Sequence, residues 1–248
     1  MQLRAPGSRS SAPASVGQWL EQRLRHDPAR PLLVWYGPED ERVELSAQTF
    51  ANWVDKTVNL LGDLGADELP VVGAPLVNER PGHWVSLVWA AATWQCGGQL
   101  QAGSVRELQA VDVAVIGPLD PRPVPGVDTI ACSLHPLGAG FTDLAPGLVD
   151  YQEVLAQPDV HSPAVVTDGE DPAWRDRESN LTHGELVAAV AGDRRRRLVP
   201  IAGTNPWQVV RTALLEPLRG GGSAVLVEGD ASAERLSRIA EAEKADLG

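Results

Sequence analysis

The stretch PVVGAPLVNERPGHWVSLVWAAATWQCGGQLQA, residues 70–102, decides the fold. Pro70 to Val77 is almost wholly apolar and predicts a buried strand. Trp84 to Gln95 predicts a helix that turns Trp84, Leu87, Val88 and Ala91 inward. Residues 99–102 return as a short strand. Apolar strands that alternate with helices belong to a layered fold with a parallel sheet.

Upstream, Ser15 is placed to cap a helix carrying Trp19, Leu20 and Leu24, which must stop before Pro28. Leu32–Tyr36 and Arg42–Leu45 flank the turn residues Gly37-Pro38-Glu39-Asp40 and predict a hairpin. Ser46 then caps a helix with Phe50, Trp53, Val54, Val58, Leu61 and Leu64 at spacings of three and four, closed by Gly65. Downstream, strands are predicted at Val111–Ile116, Asp128–Leu134, Pro163–Thr167, Arg197–Ala202 and Ala224–Glu228. Helices are predicted at Val105–Ala110, Leu181–Ala191, Trp207–Arg219 and Ala233–Ala245. Residues 135–162 and 168–180 follow neither period, and no internal repeat is visible. The expectation is an α/β fold, layered α/β/α with a largely parallel sheet, over residues 15–248. A subdivision is expected near 135–162, and the Ser/Pro/Ala/Gly-rich residues 1–14 read as a disordered lead-in.

Charge narrows the function. Among 248 residues, 33 Asp and Glu oppose 21 Lys and Arg, a net charge of −12, which argues against general nucleic-acid binding. The most apolar run, Trp84–Trp94, is about half of the roughly 20 residues a spanning helix needs, so no membrane segment is expected. The N-terminus lacks the apolar run of a secretory signal, and the expected location is the cytoplasm. Cys96, Cys132 and the five histidines show no metal-ligand spacing, and no G-x-S-x-G occurs, so neither a metal site nor a hydrolase is expected. Only two lysines are present, Lys56 and Lys244.

Taken in order, the segments resemble the first part of the adenylate-forming (AMP-binding, acyl-CoA synthetase-like) superfamily. Its opening hairpin, T-Y-x-E-L helix and G-x-x-x-G-D-x-V segment are matched by Val43-Glu44-Leu45-Ser46, Phe50, Leu64-Gly65-Ala66, Val71-Val72 and Val77-Asn78. Asn180-Leu181-Thr182-His183-Gly184-Glu185-Leu186 resembles the L-T-H-x-x-L that follows the family's phosphate loop. Pro200 and Leu214–Val227 resemble its P-L-x-x-x-G-G-x-x-V segment. Each match alone is short; their collinearity over residues 30–245 is the signal. The chain is identified as a member of a group of short, single-copy actinobacterial proteins distantly similar to these enzymes.

The resemblance implies a site for acyl activation by ATP, built on a loop of the form S-G-T-T-G-x-P-K-G. Glycines there let backbone N–H groups reach the phosphates, and the lysine and Mg²⁺ offset their charge. Between Pro163 and Leu181 this chain instead reads AVVTDGEDPAWRDRESN, in which only Thr167 and Gly169 match the loop and no lysine occurs. From Thr167 to Ser179 five acidic residues oppose Arg175 and Arg177. Each like-charge contact at ~4 Å costs about 1 kcal/mol even in water, which works against a triphosphate. The family's adenine and ribose motifs, and the lid that carries its catalytic lysine, would lie beyond residue 248; Lys244 stands in the wrong segment to substitute.

Thr167, Gly169, Thr182 and His183 are therefore the candidate residues of a degenerate nucleotide-loop region, with no catalytic residue and no metal ligand assigned. His183 could shape a pocket there, or be a partly buried histidine in the first helical turn behind a Thr182 cap. Asp168, Glu170, Asp171 and Asp176 could hold Mg²⁺, or stand as solvated loop acids. Arg194–Arg197 could grip a phosphate or an acidic partner, or compensate a helix end. Gly220-Gly221-Gly222-Ser223 runs from helix to strand and reads as a C-cap rather than a phosphate cradle. Trp53, Trp84, Trp89 and Trp94 read as core or interface anchors, and Trp174 as an exposed contact. The expected function is a catalytically degenerate adenylate-forming-like domain, a pseudoenzyme that binds a small molecule or a protein without a cofactor. Two alternatives stand beside it. One is an acyl-adenylating enzyme using ATP and Mg²⁺ and completed by another chain; the other is a structural protein pairing as a homodimer over an apolar face.

Overall fold

The computed structural model describes residues 15–247 apart from 120 and 162, so the lead-in expected over 1–14 lies outside the described residues. Ser15 and Gln18 cap each other's backbone N–H and start α1 (Val16–His26). β1 (Pro31–Tyr36) and β2 (Arg42–Ser46) form the expected antiparallel hairpin, and Ser46 accepts from Thr49 N–H to open α2 (Ala47–Asp63). Then come β3 (Val71–Gly73), α3 (Pro75–Glu79), α4 (Trp84–Gln95), β4 (Gln99–Gln101), β5 (Val113–Ile116), β6 (Asp128–Ala131) and β7 (Val149–Asp150). β8 (Pro172–Arg175), β9 (Asn180–Thr182), α5 (His183–Ala189) and β10 (Arg196–Pro200) follow. The chain ends with α6 (Pro206–Val210), α7 (Glu216–Gly220), β11 (Ser223–Val227), α8 (Ala233–Glu243) and β12 (Asp246–Leu247).

The fold is α/β with mostly parallel pairing, and its strands divide between two sheets. One has the order β12-β10-β11-β1-β2, the other β7-β6-β5-β3-β4-β8-β9. Each is parallel except for one hairpin at an edge, β1–β2 in the first and β8–β9 in the second. Strand alternation covers both faces of the five-stranded sheet. Leu33, Trp35, Ala224 and Leu226 enter the main core, while Val34, Leu198, Val225 and Val227 pack under Ile239 and Ala240 of α8.

α4 lies at the centre. The sequence assigns it one inward face, yet all twelve of its residues are buried, as expected of a helix that is apolar all round. Its N-cap is His83, whose Nδ1 accepts from Val85 N–H at 3.2 Å. Burial among Trp35, Trp84 and the Arg80 charge lowers the His83 pKa to about 3, so the ring is neutral.

Several predicted elements move. The strand expected over Pro70–Val77 stops at Gly73. Pro75 has no N–H for a ladder and instead starts α3. The strand expected at Pro163–Thr167 is absent, and β8 forms at Pro172–Arg175 inside a stretch that read as aperiodic. The helix expected over Val105–Ala110 is one 3₁₀ turn, Val105–Glu107, and Ala110 has a φ of 45° that a right-handed helix cannot hold. Between α6 and α7 the helix widens to a π turn, Arg211–Leu215. Pro217 removes one main-chain donor from the last turns and crowds the preceding one, which accounts for the change of pitch.

Candidate functional site

The β8–β9 hairpin carries the region predicted to matter. At its base, His183 N–H donates to the Asp171 carbonyl at 2.9 Å and Gly184 N–H to the Gly169 carbonyl at 2.8 Å. Thr182 Oγ1 accepts from Glu185 N–H, and the Glu185 carboxylate accepts from Thr182 N–H, closing a capping box on α5. His183 is buried, its Nε2 lies 3.1 Å from the Gly97 carbonyl, and desolvation pulls its pKa down. Gly97, at a φ of +73°, leaves room for Thr167; a Cβ there would lie 2.7 Å from the Thr167 methyl. Thr167, Gly169, Thr182 and His183 thus come together. What they build is a closed corner beneath the hairpin, with His183 in the first turn of α5 behind its cap.

The L-T-H residues follow β8 after a four-residue tip, Asp176–Ser179, so the tip is where the family's phosphate loop would enter. Thr167 and Gly169 lie on the far side of β8, at the base. In the tip, Asp176 Oδ1 accepts from Glu178 N–H at 2.8 Å and Ser179 N–H at 2.6 Å, while Oδ2 accepts from Trp174 Nε1 at 3.0 Å. The tip's backbone donors are thus held by a carboxylate of the same chain. Glu178 accepts from Asn205 Nδ2 at 2.7 Å, and Arg177 bonds Glu107 at 2.5 Å.

Trp174 corrects an expectation. It is fully buried rather than exposed, packed 6.2 Å from Trp94 and 5.4 Å from Trp207 between ring centroids. Its burial is legible only once β8 is recognised as a strand covered on both faces, which buries Ala173 and Trp174 although they point to opposite sides of the sheet. The loop acids also resolve. Asp171 and Asp168 cap Asp168 N–H and Glu170 N–H, and Asp176 stands at the other end of the hairpin. Among the described residues no three His, Cys, Asp or Glu gather as a metal site.

Beside the tip, at the carboxyl ends of β4 and β8, lies a crevice of about 280 Å³ lined by Gln101, Gly103, Glu107, Gln109, Arg175 and Arg177. Carboxyl-end crevices are where parallel sheets hold ligands. The Gln101 side chain donates through Nε2 to the Gln109 carbonyl and accepts through Oε1 from Gln109 N–H, both at 2.9 Å, and Arg175 donates to Gln109 Oε1 at 2.6 Å. Arg177, with Ser104, holds the Glu107 carboxyl at about 2. Sequence reading missed Gln101 and Gln109, since lone glutamines carry no spacing signal.

The arginine run divides. Arg195 and Arg197 bond Asp193, Arg196 bonds Glu243, and Arg194 stands exposed. The glycine run caps α7 through Gly221 at a φ of +84°. No helix among the described residues is long and apolar enough to cross a membrane.

No family model matches the chain. The structure is similar to that of a Brucella canis acyl-CoA synthetase, with a TM-score of 0.74 at 17% identity, which shows a shared acyl-CoA-synthetase-like fold. The match covers 96% of this chain and 48% of the synthetase, so the chain spans about half the length of that neighbour. Against a Mycobacterium tuberculosis protein described as a "TIGR03089 family protein" it is 31% identical over 240 residues, 90% of this chain and 93% of the relative. The chain belongs to that family.

Proposed function

We propose that this chain is an adenylate-forming-like domain that works by binding rather than by acyl activation, holding a small molecule in the crevice beside the β8–β9 hairpin. The observation that carries the reading is the Asp176 carboxylate, seated on the tip amides where a phosphate group would accept its bonds. A triphosphate would have to displace that carboxylate and then sit beside it and Glu178, without a lysine in the loop. Arg175 and Arg177 use one guanidinium nitrogen each on Gln109 and Glu107, and their remaining N–H groups, with Gln109 Nε2 beside them, give the crevice donors for a small polar ligand. Their mutual bonds hold these side chains in place before any ligand arrives.

Purified protein incubated with ATP, Mg²⁺ and carboxylic acids of increasing chain length is expected to release no pyrophosphate above a protein-free blank. Acid-dependent pyrophosphate release would overturn the reading in favour of an acyl-activating enzyme.

A further inference from the structure

A second concavity shares no residue with the hairpin crevice. α1, the end of α7 and the loop before β10 enclose a groove of about 530 Å³. Arg23, Arg30, Arg194 and Arg219 line it against one carboxylate, Asp27, in a protein whose net charge is −12. Arg23 is only 5% exposed. Its Nη1 donates to the Gly221 carbonyl at 2.5 Å, but Nε and Nη2 have no hydrogen-bond partner among the described residues. Polar groups that deeply buried are normally satisfied, and a cation left without an anion is the costliest exception. Burial, then the charge of Arg30, lowers the Arg23 pKa, and Asp27 offsets part of this.

Two of its neighbours have no other partner among the described residues. The Arg30 and Arg194 side chains are exposed and make no hydrogen bond or ion pair among the described residues. Arg219 is positioned by the Val187 and Val190 carbonyls and by the Trp19 ring, 5.4 Å away. Residues 1–14 contain no Asp or Glu that could neutralise the cluster. Gly221 and Gly222 N–H both donate to the Pro217 carbonyl, so the glycine run does not offer those amides to an anion.

We propose that this groove binds a small molecule bearing a phosphate or diphosphate group, with Arg23 as its buried anchor and Arg30 and Arg194 on its outer oxygens. Four guanidinium groups against one carboxylate leave an excess that a monocarboxylate cannot balance. A phosphate monoester, at roughly −1.5 to −2, comes closer, and a diphosphate closer still. Guanidinium forks match phosphoryl oxygens two at a time.

Titration calorimetry with inorganic pyrophosphate, in magnesium-free buffer, tests the site. Saturable one-to-one binding is expected, weaker with inorganic phosphate and absent with acetate. An R30A/R194A double variant alters side chains that hold nothing in the fold. It is expected to lose at least tenfold in pyrophosphate affinity with an unchanged melting temperature. R23M should abolish binding without lowering the ligand-free melting temperature, because it removes a buried cation together with its one bond. R238A, which removes an exposed guanidinium of α8 outside the groove, should leave pyrophosphate affinity as it was. No saturable binding by the wild-type protein, or undiminished affinity in R30A/R194A, overturns the proposal whatever the stability of R23M.

Discussion

The tip of the β8–β9 hairpin and the groove beside α1 both concern anions, and they treat them in opposite ways. At the tip the anion is built in. Asp176 satisfies two backbone amides and an indole N–H, Glu178 takes Asn205, and Arg177 turns its Nε to Glu107. In the groove the cations are built in and outnumber the one carboxylate, with two donor atoms of Arg23 unpaired among the described residues and Arg30 and Arg194 exposed. A turn whose backbone amides already have a carboxylate acceptor gains little from a phosphate, since binding must first break what is there. A buried guanidinium without an anion gains much. The place that the family resemblance marks for phosphate is thus, on chemistry, the poorer of the two.

That contrast breaks first at Trp174. If the tip is a packed structural corner, W174A removes a fully buried indole and its contacts with Trp94 and Trp207, along with the Asp176 bond. Urea denaturation should show a loss of about 3–5 kcal/mol. A loss below about 1 kcal/mol would mean that the hairpin is free to open, and the closed-tip reading would fall.

Acid sharpens the comparison at two buried histidines, His83 at the head of α4 and His183 at the base of the same hairpin. His83 and His183 are both held neutral by burial, so below the ordinary histidine value of about 6.5 the unfolded chain binds protons that the native one refuses. Stability should therefore be greatest above pH 6.5 and fall as the pH drops from there toward 3. For His83 alone, with its folded value near 3, the loss is about 2 kcal/mol by pH 5. H83N keeps an N-cap side chain for α4 and should flatten the slope between pH 6.5 and 5 in denaturation midpoints. An equal slope in H83N would move the cause elsewhere.

How much of this was legible follows from which signals are local. Ser15, Ser46 and Thr182 announce their helices because a cap and its amide lie three residues apart. The paired apolar periods gave both sheets' central strands. β8 was not legible, since Pro172-Ala173-Trp174-Arg175 is too short to show a period and is set among acids. Its misplacement to Pro163–Thr167 in turn made Trp174 look exposed. The four candidate site residues were found together because the T-H pair is contiguous with the hairpin base. The groove was out of reach: Arg23, Arg194 and Arg219 are brought together only by packing α1 against α7, a contact no spacing encodes.

The remaining tests are smaller and separate bonds that hold the tip from bonds that decorate it. D176A leaves the amides of Glu178 and Ser179 and the Trp174 indole without their acceptor. Because Trp174 is buried and the amides are only partly so, the loss should be about 1–3 kcal/mol, below that of W174A. R177A is the lower bound. Its guanidinium is 73% exposed, and although it holds the Glu107 carboxyl at about 2, that partner has water to fall back on and Ser104 N–H still to accept from. The R177A denaturation midpoint should match the wild type at pH 7. A shift as large as that of D176A would show that the ion pair across the crevice, rather than the carboxylate inside the turn, sets the conformation of the tip.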